Sequence, residues 1–467
     1  MNIIGRIAEI RELDELMASK KSEFVVVYGR RRVGKTYLIR QYFGNKFSFY
    51  TTGLAEGKTD VQLVNFNAAL RQSPFYEEQK EATNWMEAFR YLIKLLEATP
   101  DEQKVVFIDE LPWMDTRDSG LISAIDFFWN SWASARDDIK FIVCGSSASW
   151  MIDHLLKNTK GLYNRVTNRI KLKPFTLKET KAYLTAMGGH YDHYQVVELY
   201  MALGGIPFYL NLVKVQESAS QNINRLFFGE QAKLRDEYYL LFASLFKNYQ
   251  KHVAIINALA QKKKGLFKSE IVKVSKVKDG GTLTTILKEL EASDFIRKYN
   301  MPGQKVRNII YQLTDNFTLF HHNFVEKSAR TDDNFWLNTI NTPSYYAWAG
   351  NAFEIVCLLH SQEIKKALGI GGVQTATYAW SNTKSQIDLL FDRKDNVINL
   401  IEIKFSHQKF TITKDYEAKL RNKVSEFRES YKTNKALWLV MLTTYGLASV
   451  THAGVVHDSL EIEVLFE

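Results

Sequence analysis

Cysteine and long apolar runs are scarce in this 467-residue chain, and each shortage excludes a class of protein. The two cysteines, Cys144 and Cys357, each lie in an apolar segment without a CxxC spacing or nearby histidines. Such cysteines are typical of buried free thiols in a reducing cytoplasm. No window approaches the roughly 18 to 20 apolar residues of a spanning helix, and the start, MNIIGRIAEIRELDEL, is unlike a secretion signal. We therefore expect a cytoplasmic protein without a membrane partner.

Length and charge limit the organisation of the chain without fixing its function. At about 150 residues per domain, a chain of this length predicts roughly three or four domains. Hydrophobic residues make up 46% and charged residues 24%, which is ordinary for a globular protein. The net charge of +9 is compatible with a nucleic-acid partner but does not require one. No repeat or low-complexity tract indicates a solenoid.

A phosphate-binding loop is predicted near the N-terminus. The apolar run FVVVY, ending at Tyr28, is typical of a buried parallel strand, and TYLIRQYF is typical of a helix. The segment between them matches G-x4-GK[ST] in the strand-loop-helix context that this motif requires. Backbone N–H groups of such a loop surround phosphates, the lysine reaches the β and γ oxygens, and the hydroxyl binds magnesium. The predicted nucleotide-binding residues of this segment are Gly29, Arg32, Gly34, Lys35, Thr36 and Tyr37.

Two further strands are predicted to complete this site. KVVFIDE ends in Asp109, the expected magnesium-side carboxylate, and Glu110, the expected catalytic base that activates water. KFIVC is followed by a turn that contains Ser146, whose side chain is placed to reach the γ-phosphate from the neighbouring strand. A serine-rich turn without this role is the alternative.

Six motifs in order, IGRIAEIRELDEL, GRRRVGKT, FIDELPWMD, CGSSASWM, LYNRVTNRIKLKPF and LGGIPFYL, resemble the archaeal-type ATPases. These form a branch of the AAA+ and STAND-like P-loop proteins, and the resemblance covers roughly residues 1–325. It implies ATP and Mg²⁺ as cofactors and places Gly5 and Arg6 near the nucleotide base. It also implies that Gly205 and Pro207 form the GxP element of a helical lid. Arg165 matches a position from which an arginine approaches a nucleotide, including that of a neighbouring subunit in a homo-oligomer.

These assignments have plainer alternatives. Arg6 can cap a helix, Gly204 and Gly205 can end one, and Arg165 can lie on a solvated face.

The middle of the chain is predicted to hold a helical lid and then a winged helix. VAIINALA, FKSEIVKVS and GGTLTTILKELEASDFI predict three helices, and IRKYNMPGQKVRNIIYQLTD predicts two strands around a Pro-Gly turn. A winged helix places its third helix in the DNA major groove. Binding of protein instead of DNA is the alternative. The basic cluster that could contact phosphates consists of Lys262, Lys263, Lys264, Lys268, Lys273, Lys276 and Lys278.

The last third predicts a metal-dependent nuclease core. SQIDLLFD and VINLIEIKF are typical of paired strands, which would bring Asp388 beside Glu402 and place Lys404 on the same face as Glu402. The two carboxylates would form a magnesium site, and the lysine ammonium would stabilise charge on the scissile phosphate. The D-x13-ExK spacing, with Glu354 on an upstream helix, resembles the PD-(D/E)xK nucleases and the DUF234-type domain often fused to archaeal-type ATPases. A cross-strand ion pair without metal is the alternative.

Together these patterns predict an α/β architecture of four parts. The expected boundaries are a P-loop parallel-sheet ATPase core at 1–175, a helical lid at 176–247, a winged helix at 248–327 and an α/β restriction-endonuclease-like domain at 328–467. The predicted function is Mg²⁺-dependent ATP hydrolysis that acts on nucleic acid, DNA being the expected partner, with possible metal-dependent cutting. The alternative is a STAND-like signalling switch whose winged-helix and nuclease-like domains bind proteins.

Overall fold

The computed structural model of the chain describes residues 3–78, 80–157, 162, 164–300, 309–448 and 453–467. The chain divides into two compact units, residues 1–174 and 175–467. Within the described ranges, no helix is long and apolar enough to cross a membrane.

The first unit is built on a sheet of five parallel strands in the order β2-β3-β4-β1-β5. Because helices cover both faces of a parallel sheet, its central strands are apolar along their length, and Phe24 to Val27 are all buried. The strands are β1 (Glu23–Tyr28), β2 (Phe49–Thr52), β3 (Lys104–Asp109), β4 (Ile139–Gly145) and β5 (Asn168–Lys171).

Helices connect these strands and bury an aromatic core that includes Phe66, Trp85 and Phe128. The N-terminus of one helix is capped by Asn84, whose side chain accepts the Glu87 amide at 3.0 Å. The helices are α1 (Ile7–Ala18), α2 (Lys35–Tyr42), α3 (Thr59–Arg71), α4 (Trp85–Ala98), α5 (Leu111–Met114), α6 (Leu121–Ser131) and α7 (Ala148–Met151), with a 3-10 turn at Ala133–Ala135 and a π-helical turn at Ile152–Leu156.

The second unit begins with five helices, in the segment for which the sequence predicts a helical lid. Capping boxes at Thr176 and Ser218 fix two of their N-termini, since each hydroxyl accepts a backbone amide and the third helical residue returns a bond. The helices are α8 (Leu177–Ala186), α9 (His193–Leu203), α10 (Pro207–Leu210), α11 (Ala219–Phe227) and α12 (Glu237–Leu245).

Three helices and a small antiparallel sheet follow, in strand order β6-β8-β7. The helices fall where the sequence predicts them, whereas the two-residue strand β6 is too short to leave a periodic signal. The predicted Pro-Gly turn lies outside the described residues. The elements are α13 (Tyr249–Ala260), β6 (Leu266–Phe267), α14 (Lys268–Ser275), α15 (Gly281–Ala292), β7 (Ile296–Asn300) and β8 (Ile309–Leu313).

The rest of the second unit contains a five-stranded mixed sheet in the order β13-β12-β11-β10-β9. The strands are β9 (Thr375–Ser381), β10 (Gln386–Arg393), β11 (Val397–Lys404), β12 (Ala436–Thr443) and β13 (Asp458–Glu461). Strands β9, β10 and β11 pair antiparallel, and β11, β12 and β13 pair parallel. A parallel pair needs a crossover connection. The helices are α16 (Asn316–Phe320), α17 (Phe335–Thr339), α18 (Pro343–Leu359), α19 (Ser361–Ala367) and α20 (Lys414–Tyr431), with a π-helical turn at His321–Val325 and 3-10 turns at Ala453–Val455 and Ile462–Phe466. The crossover between β11 and β12 is α20.

Candidate functional sites

The loop between β1 and α2 has the backbone conformation that a phosphate cradle needs. Gly29 and Gly34 have φ values of 148° and 91°, and Arg32 has φ 72°. A Cβ atom on Gly29 would lie 2.1 Å from the carbonyl oxygen of Leu172, so a side chain at this position would collide with backbone. The first glycine is therefore required for close packing and the second for the left-handed turn that starts α2.

Lys35 and Thr36, the first two residues of α2, contact the loop itself and the end of β3. The Lys35 ammonium donates to the carbonyl oxygens of Gly29 and Arg30, both at 3.0 Å, and the residue is almost fully buried. The Thr36 hydroxyl donates to Asp109 Oδ2 at 2.7 Å. A hydroxyl and a carboxylate, the oxygen ligands that Mg²⁺ prefers, thus lie together beside the loop.

Glu110, the predicted base, lies directly after β3 and has a left-handed backbone, φ 47°. Its carboxylate Oε2 accepts the Ser146 hydroxyl at 2.8 Å and the Ser146 amide at 3.1 Å. The structure thus brings together the two residues that the sequence assigned separately. Ser146 contacts the glutamate here, and contact with a γ-phosphate stays a prediction.

Arg6 supports the loop from outside the strand-loop-helix motif. Its guanidinium donates to the carbonyl oxygens of Val33, at 3.0 Å, and Lys173, at 2.8 Å, and the side chain is buried. Arg6 also precedes α1 with φ 57°, directly after Gly5 with φ 67°. Arg6 therefore connects the phosphate loop to the segment that follows β5, and it helps to position the loop. Contact of Gly5 or Arg6 with a base stays a prediction.

Contact of the other predicted site residues with a nucleotide stays a prediction. Arg165 is exposed, and Tyr37 is 45% exposed. Gly205 and Pro207 belong to the second unit, where Pro207 starts α10. A Cβ atom on Gly205 would lie 2.4 Å from the Phe175 carbonyl oxygen, so local packing alone requires this glycine. Gly204 ends α9 with φ 67°, as the plainer alternative predicts.

A second cluster of predicted residues lies in the mixed sheet of the second unit. Asp388 of β10 and Glu402 of β11 are both buried, and Asp388 Oδ2 accepts the backbone amide of Ile403 at 3.1 Å. The Lys404 ammonium lies 2.9 Å from Glu402 Oε1. Glu354 is on α18, which packs against β10 and β11. The four residues thus come from one helix and two adjacent strands.

The structure adds three residues that sequence reasoning missed. Lys423 and Tyr416, both on α20, contact Glu402: the ammonium lies 2.6 Å from Oε2, and the phenol donates to Oε1 at 2.8 Å. Lys264, in the turn before β6, places its ammonium 2.9 Å from Glu354 Oε2 and 3.3 Å from Asp388 Oδ1. No sequence spacing links Lys264 to Glu354 and Asp388, which lie 90 and 124 positions away along the chain.

These contacts move the pKa values of the two strand carboxylates in opposite directions. Burial, reinforced by the charge of Glu354, raises the pKa of Asp388 to about 6. Burial alone would also raise the pKa of Glu402, but the ammonium groups of Lys404 and Lys423 hold it below its usual value. The negative charge of Glu402 is therefore compensated by nearby ammonium groups more strongly than that of Asp388.

The donor set of this cluster suits a hard divalent cation, which prefers carboxylate oxygens. Within the described ranges, however, no group of three or more His, Cys, Asp or Glu side chains is arranged to hold a metal ion. Instead, the ammonium of Lys264 lies against two of the carboxylates, and those of Lys404 and Lys423 lie against the third.

The first unit has the features of a P-loop nucleotide hydrolase: an all-parallel sheet, a glycine loop before α2, and an aspartate that ends β3 followed by a glutamate. Residues 4–213 match a family described as an ATPase domain predominantly from Archaea. This match confirms the archaeal-type ATPase prediction for that part of the chain, and the chain is an ATPase.

The individual proteins that the chain resembles share only low sequence identity with it. An uncharacterized protein of Methanocaldococcus jannaschii, MJECL04, is 26% identical over 443 residues, which are 93% of this chain and 92% of the relative. Among solved structures, the Walker-type ATPase PABY2304 of Pyrococcus abyssi is 18% identical, with a TM-score of 0.48 over 68% of this chain and 96% of its own. The Aeropyrum pernix ORC2 protein in ADPNP–ADP complexes is 12% identical, with a TM-score of 0.37 over 73% and 96%.

Proposed function

We propose that this ATPase depends on Mg²⁺ and acts on DNA, with a winged-helix module for binding and a PD-(D/E)xK nuclease-like domain at its C-terminus. The observation that carries the nucleic-acid part is the cluster of Glu354, Asp388, Glu402 and Lys404, in which a helix and two adjacent strands bring together three carboxylates and a lysine.

The residues of the first unit have complementary roles in hydrolysis. Thr36 and Asp109 would hold Mg²⁺, since their oxygens lie 2.7 Å apart and belong to the ligand types that this ion prefers. Lys35 supplies positive charge to the β and γ phosphates. Glu110 accepts the proton of the attacking water, and Oε1 is the oxygen proposed for this role because Ser146 donates to Oε2. Exposed Arg165 is available to a nucleotide of a second copy in a homo-oligomer.

The residues of the second unit fit phosphodiester cleavage. Glu354, Asp388 and Glu402 would hold a divalent cation only after the lysine ammonium groups that lie against them withdraw. That cation would lower the pKa of a bound water and neutralise charge on the phosphate. Lys404, 2.9 Å from Glu402, supplies a cation to the negative charge that develops on the scissile phosphate.

The elements α13 to α15 and β6 to β8 support a DNA-binding module. Helix α15 buries one face and exposes Thr282, Thr285 and Lys288 on the other, as a recognition helix does. Most lysines of the predicted basic cluster are also exposed and therefore accessible to phosphates, although Lys262 pairs with Glu270 at 2.9 Å.

A paired assay tests the proposal. Phosphate release and plasmid nicking are followed in one magnesium-containing reaction, with the wild type, Lys35→Ala and Glu402→Gln. We expect DNA to raise phosphate release, Lys35→Ala to abolish it, and Glu402→Gln to abolish nicking. If DNA changes neither reaction and no strand is cut with magnesium or manganese, the nucleic-acid part of the proposal is wrong.

One observation favours a second function, a nucleotide switch in which the C-terminal domain is a protein-binding scaffold. The lysine contacts compensate the carboxylates of the cluster without any metal, as a structural ion-pair network does. A switch predicts slow hydrolysis, a nucleotide-dependent change of assembly state, and no functional loss in Glu402→Gln. Size-exclusion chromatography with light scattering in ADP and in a non-hydrolysable ATP analogue separates the two functions.

A further inference from the structure

Lys264 occupies the position in the carboxylate cluster where a cation is expected. Its ammonium bridges Glu354 and Asp388, at 2.9 and 3.3 Å, and the side chain is only 12% exposed. Lys264 does not belong to the nuclease-like domain: it lies in the turn between α13 and β6, within the proposed DNA-binding module. One module of the unit therefore inserts a positive charge into the predicted metal site of another.

The turn that carries Lys264 is held firmly in place. The Lys264 carbonyl oxygen accepts the Tyr299 hydroxyl at 2.7 Å, and the Lys263 carbonyl oxygen accepts the Gln312 side-chain amide at 2.8 Å. Gly265, with φ 85°, packs so closely on β8 that a Cβ atom would lie 2.2 Å from the Tyr311 carbonyl oxygen. The sheet of the DNA-binding module therefore fixes the backbone from which Lys264 extends.

Electrostatics make the ammonium and a divalent cation mutually exclusive at this position. Asp388 is buried and Glu354 is partly buried, and two carboxylates in such surroundings repel each other unless a cation lies between them. A lysine ammonium supplies one positive charge and hydrogen bonds to both oxygens, whereas a metal ion needs the same lone pairs for coordination. An ion bound by Glu354 and Asp388 would also repel an ammonium left at contact distance.

We propose that Lys264 is a built-in competitor of the divalent cation, so that the DNA-binding module keeps the nuclease-like site without metal until Lys264 withdraws. This inference rests on the proposed function of that site. It adds that occupancy of the site is controlled by a residue outside the nuclease-like domain, and that the position of the DNA-binding module sets that control.

The test is Mn²⁺ binding, measured by electron paramagnetic resonance without nucleotide, for the full-length wild type, Lys264→Met and Lys298→Met. Methionine keeps the length and apolar stem of lysine but removes the charge. Lys298→Met is a matched control, because Lys298 of β7 also pairs with a glutamate at 2.9 Å, Glu291, but on the surface. The double variant Lys264→Met, Asp388→Asn identifies binding that belongs to the carboxylate cluster.

We expect Lys264→Met to bind Mn²⁺ at least about tenfold more tightly than the wild type and Lys298→Met, and the double variant to lose this gain. If the wild type and Lys264→Met bind Mn²⁺ equally well and Asp388→Asn removes that binding, the metal site is real but Lys264 does not compete with the cation. No binding attributable to Asp388 in any variant would overturn the metal site and, with it, the role of Lys264.

If Lys264→Met folds poorly, the acylation rates of lysine amines in the wild-type protein test the inference instead. Saturating Mn²⁺ should raise the acylation rate of Lys264, read by peptide mass spectrometry, while that of Lys298 stays constant. A Lys264 rate that is unchanged by Mn²⁺ at concentrations that fill the Asp388-dependent site would contradict the competition.

Discussion

The two candidate sites combine the same groups, lysines and carboxylates, in opposite ways. In the P-loop site, the Lys35 ammonium donates to two backbone carbonyl oxygens, and Asp109 accepts a threonine hydroxyl. In the carboxylate cluster of the second unit, Lys264, Lys404 and Lys423 lie directly against carboxylates. A lysine held by neutral carbonyl groups keeps its full charge for a phosphate, whereas a lysine paired with a carboxylate must first be released. The first site is arranged for a ligand, and the second is compensated internally.

Glu110→Gln tests the P-loop half of this comparison with the largest expected effect. Glutamine retains the shape of the side chain but cannot accept a proton from water, so we expect ATP hydrolysis to fall by about 10²- to 10⁴-fold. Nucleotide binding, measured with a fluorescent ATP analogue, should be nearly unchanged. The control is Glu56→Gln, an exposed glutamate of the same unit. Full hydrolysis by Glu110→Gln would show that Glu110 is not the base.

Lys35→Ala should lower hydrolysis by about 10²- to 10³-fold, because a preorganised positive group at the phosphates is removed. Unlike Glu110→Gln, it should also weaken ATP binding, since Lys35 is predicted to contact the phosphates in the ground state. Steady-state phosphate release and analogue titration separate these effects, with exposed Lys20→Ala as control. If Lys35→Ala still binds ATP tightly, Lys35 is not available to the ligand in the way proposed, and the contrast with the lysines paired with carboxylates is wrong.

Lys423→Met tests the internal compensation of the second site. Glu402 is buried, and it would retain Lys404 and Tyr416 while losing an ammonium at 2.6 Å. The expected cost is about 1–3 kcal/mol of unfolding free energy, seen as a lower urea midpoint. Lys419→Met, an exposed lysine one turn earlier on α20, is the control. Equal midpoints for the two variants would mean that the Lys423 contact contributes little to stability.

The same contrast explains what the sequence could predict. The P-loop residues are nearly contiguous, and their spacing alone determines a strand, a loop and a helix around the phosphates. Asp388 and Glu402 were predicted because a hairpin relates them by simple register. Lys264 and Lys423 approach the same carboxylates through tertiary packing, and Lys264 looked like one of seven surface lysines. The Val33 contact of Arg6 was hidden for the same reason.

Glu198 shows a third way to accommodate a buried carboxylate, and it gives the smallest predicted effect. Burial raises its pKa to about 7, and its Oε1 accepts the Tyr345 hydroxyl at 2.8 Å. Because the folded pKa exceeds the unfolded value of 4.5, the stability associated with protonation is complete below pH 4.5 and is lost as the pH rises through about 7. Glu198→Gln removes this loss.

We therefore expect Glu198→Gln to unfold at a higher temperature than the wild type at pH 8 and at nearly the same temperature at pH 5. An upper bound for the gain is about 3 kcal/mol. Thermal unfolding at the two pH values checks this, with exposed Glu230→Gln as control. If the difference in unfolding temperature between Glu198→Gln and the wild type is the same at both pH values, Glu198 stays ionised in the fold. Its charge would then have to be compensated within the fold, as those of Asp388 and Glu402 are compensated by lysine.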